Sequence, residues 1–398
     1  MLFSSISLFT FAKKATSLCF VKKIATVIDV FSSARSIRVV HCDVRCNIMV
    51  QVYIRRLIVW YVSLSKTGFR IGSVLMADLR KVQRTATGTF FVCLPRDWSE
   101  KHGLEKGMMV ALNETIGGKL CVDPKYNDEP TPKVTSLTVS PFLGREIVGH
   151  YLLGSDIIRI EAKERIDFDV RKVVKATVGG LIGLEIVEEN YSQIVLQCLL
   201  EPSGFPPEKI LRRNDAIVAG MHRDAVNSFL DGDVQLAKSV TARDDENNRL
   251  YFLLVRILRT IIQNPRLSEK LGLTAIECLD YRLAASLLET MGDACVQIAA
   301  KTLELNGTKP SEDLRKLVSS LQAVCHDAHE QALKSFVNKD IALAENVRQM
   351  REKVQFLSVA IENEAKAEPL EVMPQTLATT AFLKQIYEHS LDLADLVV

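Results

Sequence analysis

The chain has 398 residues, 47% apolar, 25% charged and 7% aromatic, a globular composition with length for two or three domains. That balance excludes disordered, collagen-like and disulfide-scaffold proteins. Lys and Arg number 50 against 48 Asp and Glu, but the near-neutral sum averages two unlike parts: residues 1–75 hold 11 basic and two acidic side chains, residues 76–398 hold 39 and 46. Nine cysteines include no CxxC pair and no zinc-finger spacing, which fits reduced thiols in a cytoplasmic protein.

Residues 1–75 contain no Glu and break their apolar runs with charge, as at Lys13-Lys14, Lys22-Lys23 and Arg55-Arg56. A spanning helix needs about 20 apolar residues, so no membrane insertion is expected. The order of a secretory signal, a basic start before one apolar run and a small-residue cleavage site, is also missing. Residues 1–75 read as an N-terminal extension. Upstream sequence before a start at Met76, an organelle-targeting segment and a true domain are the alternatives.

From Arg80 the pattern changes to short strands. Arg80–Arg84 and Thr89–Leu94 flank Thr87-Gly88, which has turn chemistry. Asp97–His102 reads as one helical turn closed by Gly103, and Leu104–Gly107 turns the chain into strands Met108–Asn113 and Lys119–Val122. Pro124, Pro130 and Pro132 mark a linker, so residues 78–133 form one unit. Domains below about 60 residues have marginal cores of their own. A homodimer pooling two copies is therefore expected.

The run RKVQRTATGTFFVCLPRDWSEKHGLEKGMMVAL resembles the AbrB/SpoVT family of swapped-hairpin DNA-binding domains, with its basic first strand, Val-x-Leu-Pro step and Gly-Leu-x-x-Gly turn. The resemblance covers Arg80 to about Pro124. It implies two interleaved chains that present Arg80, Lys81, Arg84, Thr87, Thr89 and Arg96 to DNA. Arg and Lys would neutralise phosphates and release counterions, and the hydroxyls would bond phosphate oxygens or base edges. Met108 departs from the acid that the family places after the turn glycine. A solvated basic edge on an oligomerising barrel is the competing reading, because five basic against two acidic residues between Arg80 and Lys101 is a modest patch.

Residues 134–205 alternate between the two periodicities. Strand Val134–Ser140, helix Leu143–Leu153, strand Asp156–Glu161, helix Phe168–Val178 and a hairpin of Leu184–Glu189 with Gln193–Leu200 give the order βαβαββ, a small α/β connector. Gly179-Gly180-Leu181-Ile182-Gly183 follows a helix and lacks both GxGxxG and the P-loop Gly-Lys-Ser/Thr. Helix termination and close packing are expected there rather than a nucleotide loop.

Residues 207–398 carry long 3.6-period patterns and repeat themselves. His222–Val240 (HRDAVNSFLDGDVQLAKSV) aligns without gaps on His329–Val347 (HEQALKSFVNKDIALAENV), with eight identities in 19 positions at an offset of 107. Duplication predicts two three-helix units packed together. Each has a helix, a turn at Asp231-Gly232-Asp233 or Asn338-Lys339-Asp340, a second long helix, and a third, at Asp280–Leu303 or Leu383–Val397.

This layout resembles the PhoU family of phosphate-uptake regulators, whose repeats end in a Leu-Glu-Arg-Ile-Gly-Asp-His-Ala-type signature; here the first copy reads LETMGDACVQIA, Leu288–Ala299. Glu289 and Asp293 stand four apart and share one helix face, where two carboxylates can converge on a cation. By the resemblance, Asp244–Asn248 (DDENN) supplies the second acidic motif, with Asn248 in place of its last acid. The implied site of Asp244, Asn248, Glu289 and Asp293 would take a divalent metal, iron, manganese or magnesium. In the second copy Lys384 replaces the glutamate, Glu388 the aspartate and Arg351 the position of Asp244, so a metal is doubtful there.

His326 and His329, at i, i+3, share a helix face on which a zinc site could begin, but no third ligand is identifiable. His222 matches His329 across the repeat, which suggests a shared packing role. Nucleophile motifs and ferritin-type Glu-x-x-His pairs are missing, so no enzyme is expected. The fold expected is multidomain α+β: a swapped-hairpin β domain, a small α/β connector and an all-α PhoU-like bundle of two three-helix repeats. This order resembles archaeal-type PhoU regulators with an N-terminal DNA-binding module. It implies a transcriptional regulator of phosphate uptake with DNA as partner; a non-DNA-binding adaptor that docks on a phosphate transporter or sensor kinase is the alternative.

Overall fold

The computed structural model describes residues 78–114, 118–124 and 132–397; the extension read over residues 1–75 lies outside them. The chain divides into two compact units, Met1–Ser99 and Glu100–Val398.

In the first unit, β1 (Gln83–Arg84) and β2 (Phe90–Phe91) form an antiparallel ladder pairing Gln83 with Phe91 and Arg84 with Phe90. These strands are shorter than the alternation predicts, because Thr85–Thr89 closes on itself. Thr85 and Thr89 bond through their backbones at 2.9 Å, and the Thr89 amide donates to Thr85 Oγ1 at 3.0 Å. Helix α1 (Arg96–Lys101) follows Pro95. No described residue from 78 to 99 is buried, and Val82, Phe90, Phe91 and Val92 stand exposed. Among the described residues of this unit the hairpin has no core under it.

The second unit opens with the antiparallel pair β3 (Ala111–Glu114) and β4 (Leu120–Asp123), which likewise buries none of its own residues. A four-stranded sheet in the order β5-β6-β8-β7 follows, built from β5 (Val134–Thr138), β6 (Ile157–Glu161), β7 (Leu184–Glu189) and β8 (Gln193–Cys198). β5 and β6 run parallel, as the crossover through α2 (Leu143–Leu152) requires, and the other pairs are antiparallel. Along β6, Ile158 and Ile160 are buried while Arg159 and Glu161 are exposed, so one face is covered. There Ile147 and Tyr151 of α2 and Val174 of α3 (Phe168–Gly179) complete a small core. Gly183 has φ +75°, and a Cβ on it would lie 2.3 Å from Leu200 Cγ. Close packing therefore accounts for the last glycine of the Gly-Gly-Leu-Ile-Gly run.

The helical part builds a second, larger core. Repeat one comprises α4 (Pro207–Asp231), α5 (Val234–Gln263), the short α6 (Pro265–Leu271) and α7 (Ala275–Leu305). Repeat two comprises α8 (Glu312–Asn338), α9 (Ile341–Gln349), α10 (Arg351–Glu364) and α11 (Met373–Ala394). Corresponding turns are closed by the same chemistry. Asp233 Oδ1 accepts the amides of Gln235 and Leu236 at 2.9 and 3.0 Å, and Asp340 Oδ1 those of Ala342 and Leu343 at 2.9 and 3.2 Å.

The repeats differ in their second helix. α5 is unbroken over 30 residues, whereas its counterpart, predicted as one long helix, is interrupted at Met350. The cause is Tyr387 on α11. Its hydroxyl donates to the Val347 carbonyl at 2.9 Å, the group that would accept from Arg351 in a continuous helix, and the Met350 amide turns to that carbonyl at 3.3 Å. When the third helices are aligned so that Lys384 falls on Glu289, Tyr387 falls on Gly292, which leaves α5 undisturbed.

Candidate functional site

α5 and α7 bring all four acidic-site residues to one place. Asn248 donates to Asp244 Oδ2 at 3.0 Å, and a Cβ built on Gly292 would lie 3.5 Å from Asp244 Oδ1. Burial, then the charges of Asp293 and Asp244, raises the Glu289 carboxyl above the usual carboxylate range. Burial and Asp244 raise Asp293 in the same direction, although Asp293 stands exposed and its shift is the more screened. Three like charges therefore face one another across two helices. Among the described residues, however, no group of three or more His, Cys, Asp or Glu is placed to hold a metal ion. The oxygens suit a hard cation in kind but line a face rather than close a cage.

Asn247 is the residue that sequence reasoning passed over. It is fully buried, its Nδ2 donates to Asp244 Oδ1 at 3.3 Å, and that nitrogen fills the space where a Gly292 side chain would be, 2.3 Å from an ideal Cβ. The signature glycine thus lets Asn247 hold Asp244. Only its presence beside Asp244 in DDENN hinted at this.

In repeat two the corresponding residues neutralise themselves. Arg351, at the position of Asp244, lies 3.4 Å from Glu388, at the position of Asp293. A guanidinium stands where repeat one leaves carboxylates unbalanced, so the asymmetry read from the sequence is visible as an ion pair.

The raised carboxyls carry a stability consequence. A carboxyl raised in the folded state adds stability at pH values below the unfolded pKa, near 4, and loses it as pH rises through the folded value. At pH 7 the ionised Glu289 is therefore unfavourable in metal-free protein. Glu289→Gln is expected to raise Tm at pH 7 by about 1–2 °C and to leave it unchanged at pH 3. Calorimetry at both values, in chelator, checks this; equal shifts at both would refute it.

The six candidate DNA contacts, Arg80, Lys81, Arg84, Thr87, Thr89 and Arg96, are all exposed. Their engagements differ. Arg80 Nη2 lies 2.5 Å from Asp78, and Arg84 lies over the Phe90 ring at 5.3 Å with Nε 3.4 Å from the Gly88 carbonyl. Thr87 and Thr85 hydroxyls bond at 2.8 Å. His326 and His329 do share a face of α8, and the residues opposite them are His222 and Asp215 of α4.

The six described cysteines at 93, 121, 198, 278, 295 and 325 are free thiols. Among the described residues no helix is long and apolar enough to cross a membrane.

Two solved structures show similarity to part of the chain. The crystal structure of PhoU from Pseudomonas aeruginosa is 21% identical with a TM-score of 0.44, covering 48% of this chain and 93% of that one. The phosphate transport system regulatory protein PhoU from Streptococcus pneumoniae is 17% identical with a TM-score of 0.42, covering 48% and 91%. No curated protein sequence matches the chain. Residues 211–302, which run from α4 through α7 and contain the whole acidic face, match the family model of the PhoU domain.

Proposed function

We propose that the chain is a cytoplasmic, homodimeric regulator of phosphate uptake that binds DNA through residues 78–133 and senses through the helical repeats. The observation that carries the first half of this reading is the PhoU-domain match over repeat one, the copy that keeps its carboxylates. Asp244, Asn248, Glu289 and Asp293 would draw a divalent cation, magnesium, manganese or iron, to that face. A cation that keeps part of its hydration shell asks only one or two carboxylates of the protein. Bound, it would neutralise the charge that Arg351 neutralises in repeat two.

DNA binding is supported by the basic first strand and by the apolar side chains of residues 78–99 that one chain leaves uncovered, which a second copy would bury. The Arg80–Asp78 pair is no obstacle, since exposed ion pairs contribute about 0–1 kcal/mol. Promoter DNA binding, measured against salt with and without phosphate, tests the reading. Arg80→Ala, Lys81→Ala and Arg84→Ala together are expected to weaken binding and lower the salt slope by roughly 0.9 for each phosphate that is no longer neutralised. An unchanged slope, or no DNA binding by the wild type, would favour the adaptor that docks on a phosphate transporter or sensor kinase.

A further inference from the structure

Where α4 crosses α8, a cluster of polar side chains is buried inside the apolar core that the two repeats share. His222 of α4 and His329 of α8 are fully buried, and their ring centroids lie 6.5 Å apart; His326 lies 5.5 Å from His222. The repeat explains the encounter. His222 and His329 occupy equivalent positions of the duplicated first helix, and a residue near the axis relating two copies faces its own counterpart. A histidine there before duplication would become a pair afterwards.

The cluster is poorly satisfied. Among the described residues both nitrogens of His222, Nδ1 of His329 and both polar side-chain atoms of the buried Asn214 have no hydrogen-bond partner. Asp215 Oδ1 is 2.9 Å from His329 Nε2, yet the two are out of line for a hydrogen bond. Unpartnered buried polar groups each cost about 1–3 kcal/mol, so this crossing is weaker than its burial suggests.

Groups of both signs lie near the rings, the Arg223 guanidinium and the carboxylates of Asp215 and Glu330. Burial, then His329, His326 and Arg223, holds His222 well below the usual imidazole range. Burial also lowers His326, and His329 and Arg223 add to this, against the opposing pull of Glu330, whose carboxylate is 3.9 Å from its Nδ1, and of a hydrogen bond to the Ala219 carbonyl of α4. On α5, Arg243 is occupied with Asp224 of α4 at 2.6 Å. On α7, Glu289 and Asp293 bear on Asp244. On α11, His389 stands between Gln385 and Asp392.

We propose that the α4–α8 crossing is a proton-operated latch: the repeats stay closed on one another while His222 and His326 are uncharged, and protonation releases one first helix from the other. The sign follows from the lowered imidazoles. A ring freed to solvent titrates near pH 6.5, so the closed contact is at full strength above that pH and weakens as pH falls. Each ring that protonates only in the open form shifts the closed-to-open ratio about tenfold per pH unit, and two shift it about a hundredfold.

Amide hydrogen exchange on the full chain between pH 7 and 5, corrected for intrinsic rates, is the test. Residues 214–226 and 322–333 are expected to lose protection by tenfold to a hundredfold per unit, while α5, α7 and the far-ultraviolet helical signal hold. A flat profile overturns the latch, and so does a decline shared by every helix, which would be ordinary acid unfolding. His222→Gln with His326→Gln should flatten the profile, and an unaltered slope in that folded variant also overturns the proposal. Should the variant fail to fold, the wild-type profile decides alone.

Discussion

Arg256→Ala is expected to destabilise the second unit by about 3 kcal/mol and to release the α/β layer from the helices before the helices themselves unfold. Arg256 is 4% exposed on α5, and its guanidinium reaches out of the bundle into the sheet domain. Nη1 donates to the carbonyls of Tyr151 and Ser155 at 2.6 and 3.0 Å, Nη2 lies 3.5 Å from Asp156, and the group stacks over the Tyr151 ring at 4.9 Å. Asp156 is half in solvent, so most of the effect comes from the lost bonds to the two carbonyls, of which Tyr151 keeps the Gly154 amide and Ser155 loses its donor, rather than from the ion pair. Phe252, one turn earlier on α5, packs on the sheet core but cannot replace those bonds. Denaturant titration followed by a probe in each layer reads the result. A single coincident transition, shifted by less than about 1 kcal/mol, would show that the layers are joined by apolar packing instead.

Gly292→Ala is expected to lower stability by about 1–2 kcal/mol, although alanine is the better helix former by up to about 1 kcal/mol. Space decides the sign. The new methyl would stand 2.3 Å from Asn247 Nδ2 and 3.2 Å from its Cγ, and Asn247 is fully buried with no route into solvent. Displacing Asn247 also removes its bond to Asp244, so cation affinity should fall with stability. In repeat two the same position is Tyr387, and Val354 rather than Asn faces the corresponding point under the 107 offset. Thermal melts with and without manganese separate the two effects. A variant as stable as wild type would mean that Asn247 moves freely and that the glycine has no packing role.

Local periodicity made much of this architecture legible. Alternation in Leu184–Glu189 gave a strand with the bounds observed, and the βαβαββ order of residues 134–205 emerged element by element. Asp233 and Asp340 announced their helix starts through side-chain chemistry that acts within three residues. Long-range effects were not legible. The break at Met350 depends on a hydroxyl 40 residues beyond Val347, and the buried Arg256 reads in sequence as one more charge on an amphipathic helix. Spacing put Glu289 and Asp293 on one helix face, and the resemblance to PhoU implied Asp244 and Asn248 beside them. His222, His326 and His329 stood out in the sequence, with a shared packing role for His222 and His329, but their meeting did not, because an encounter across a helix crossing leaves no spacing in the sequence, only the repeat offset that pairs His222 with His329.

The unbroken course of α5 has a mechanical consequence. At about 1.5 Å per residue, Asp244 and Arg256 lie about 18 Å apart on one rigid rod. The first sits at the acidic face and the second at the joint with the α/β layer. A tilt of α5 imposed at the acidic end must displace the joint, because no flexible turn lies between them to absorb it. Repeat two has no such lever, since the interruption at Met350 would dissipate the same tilt within a turn. The two copies therefore differ in stiffness along their second helices, unbroken in one and interrupted in the other.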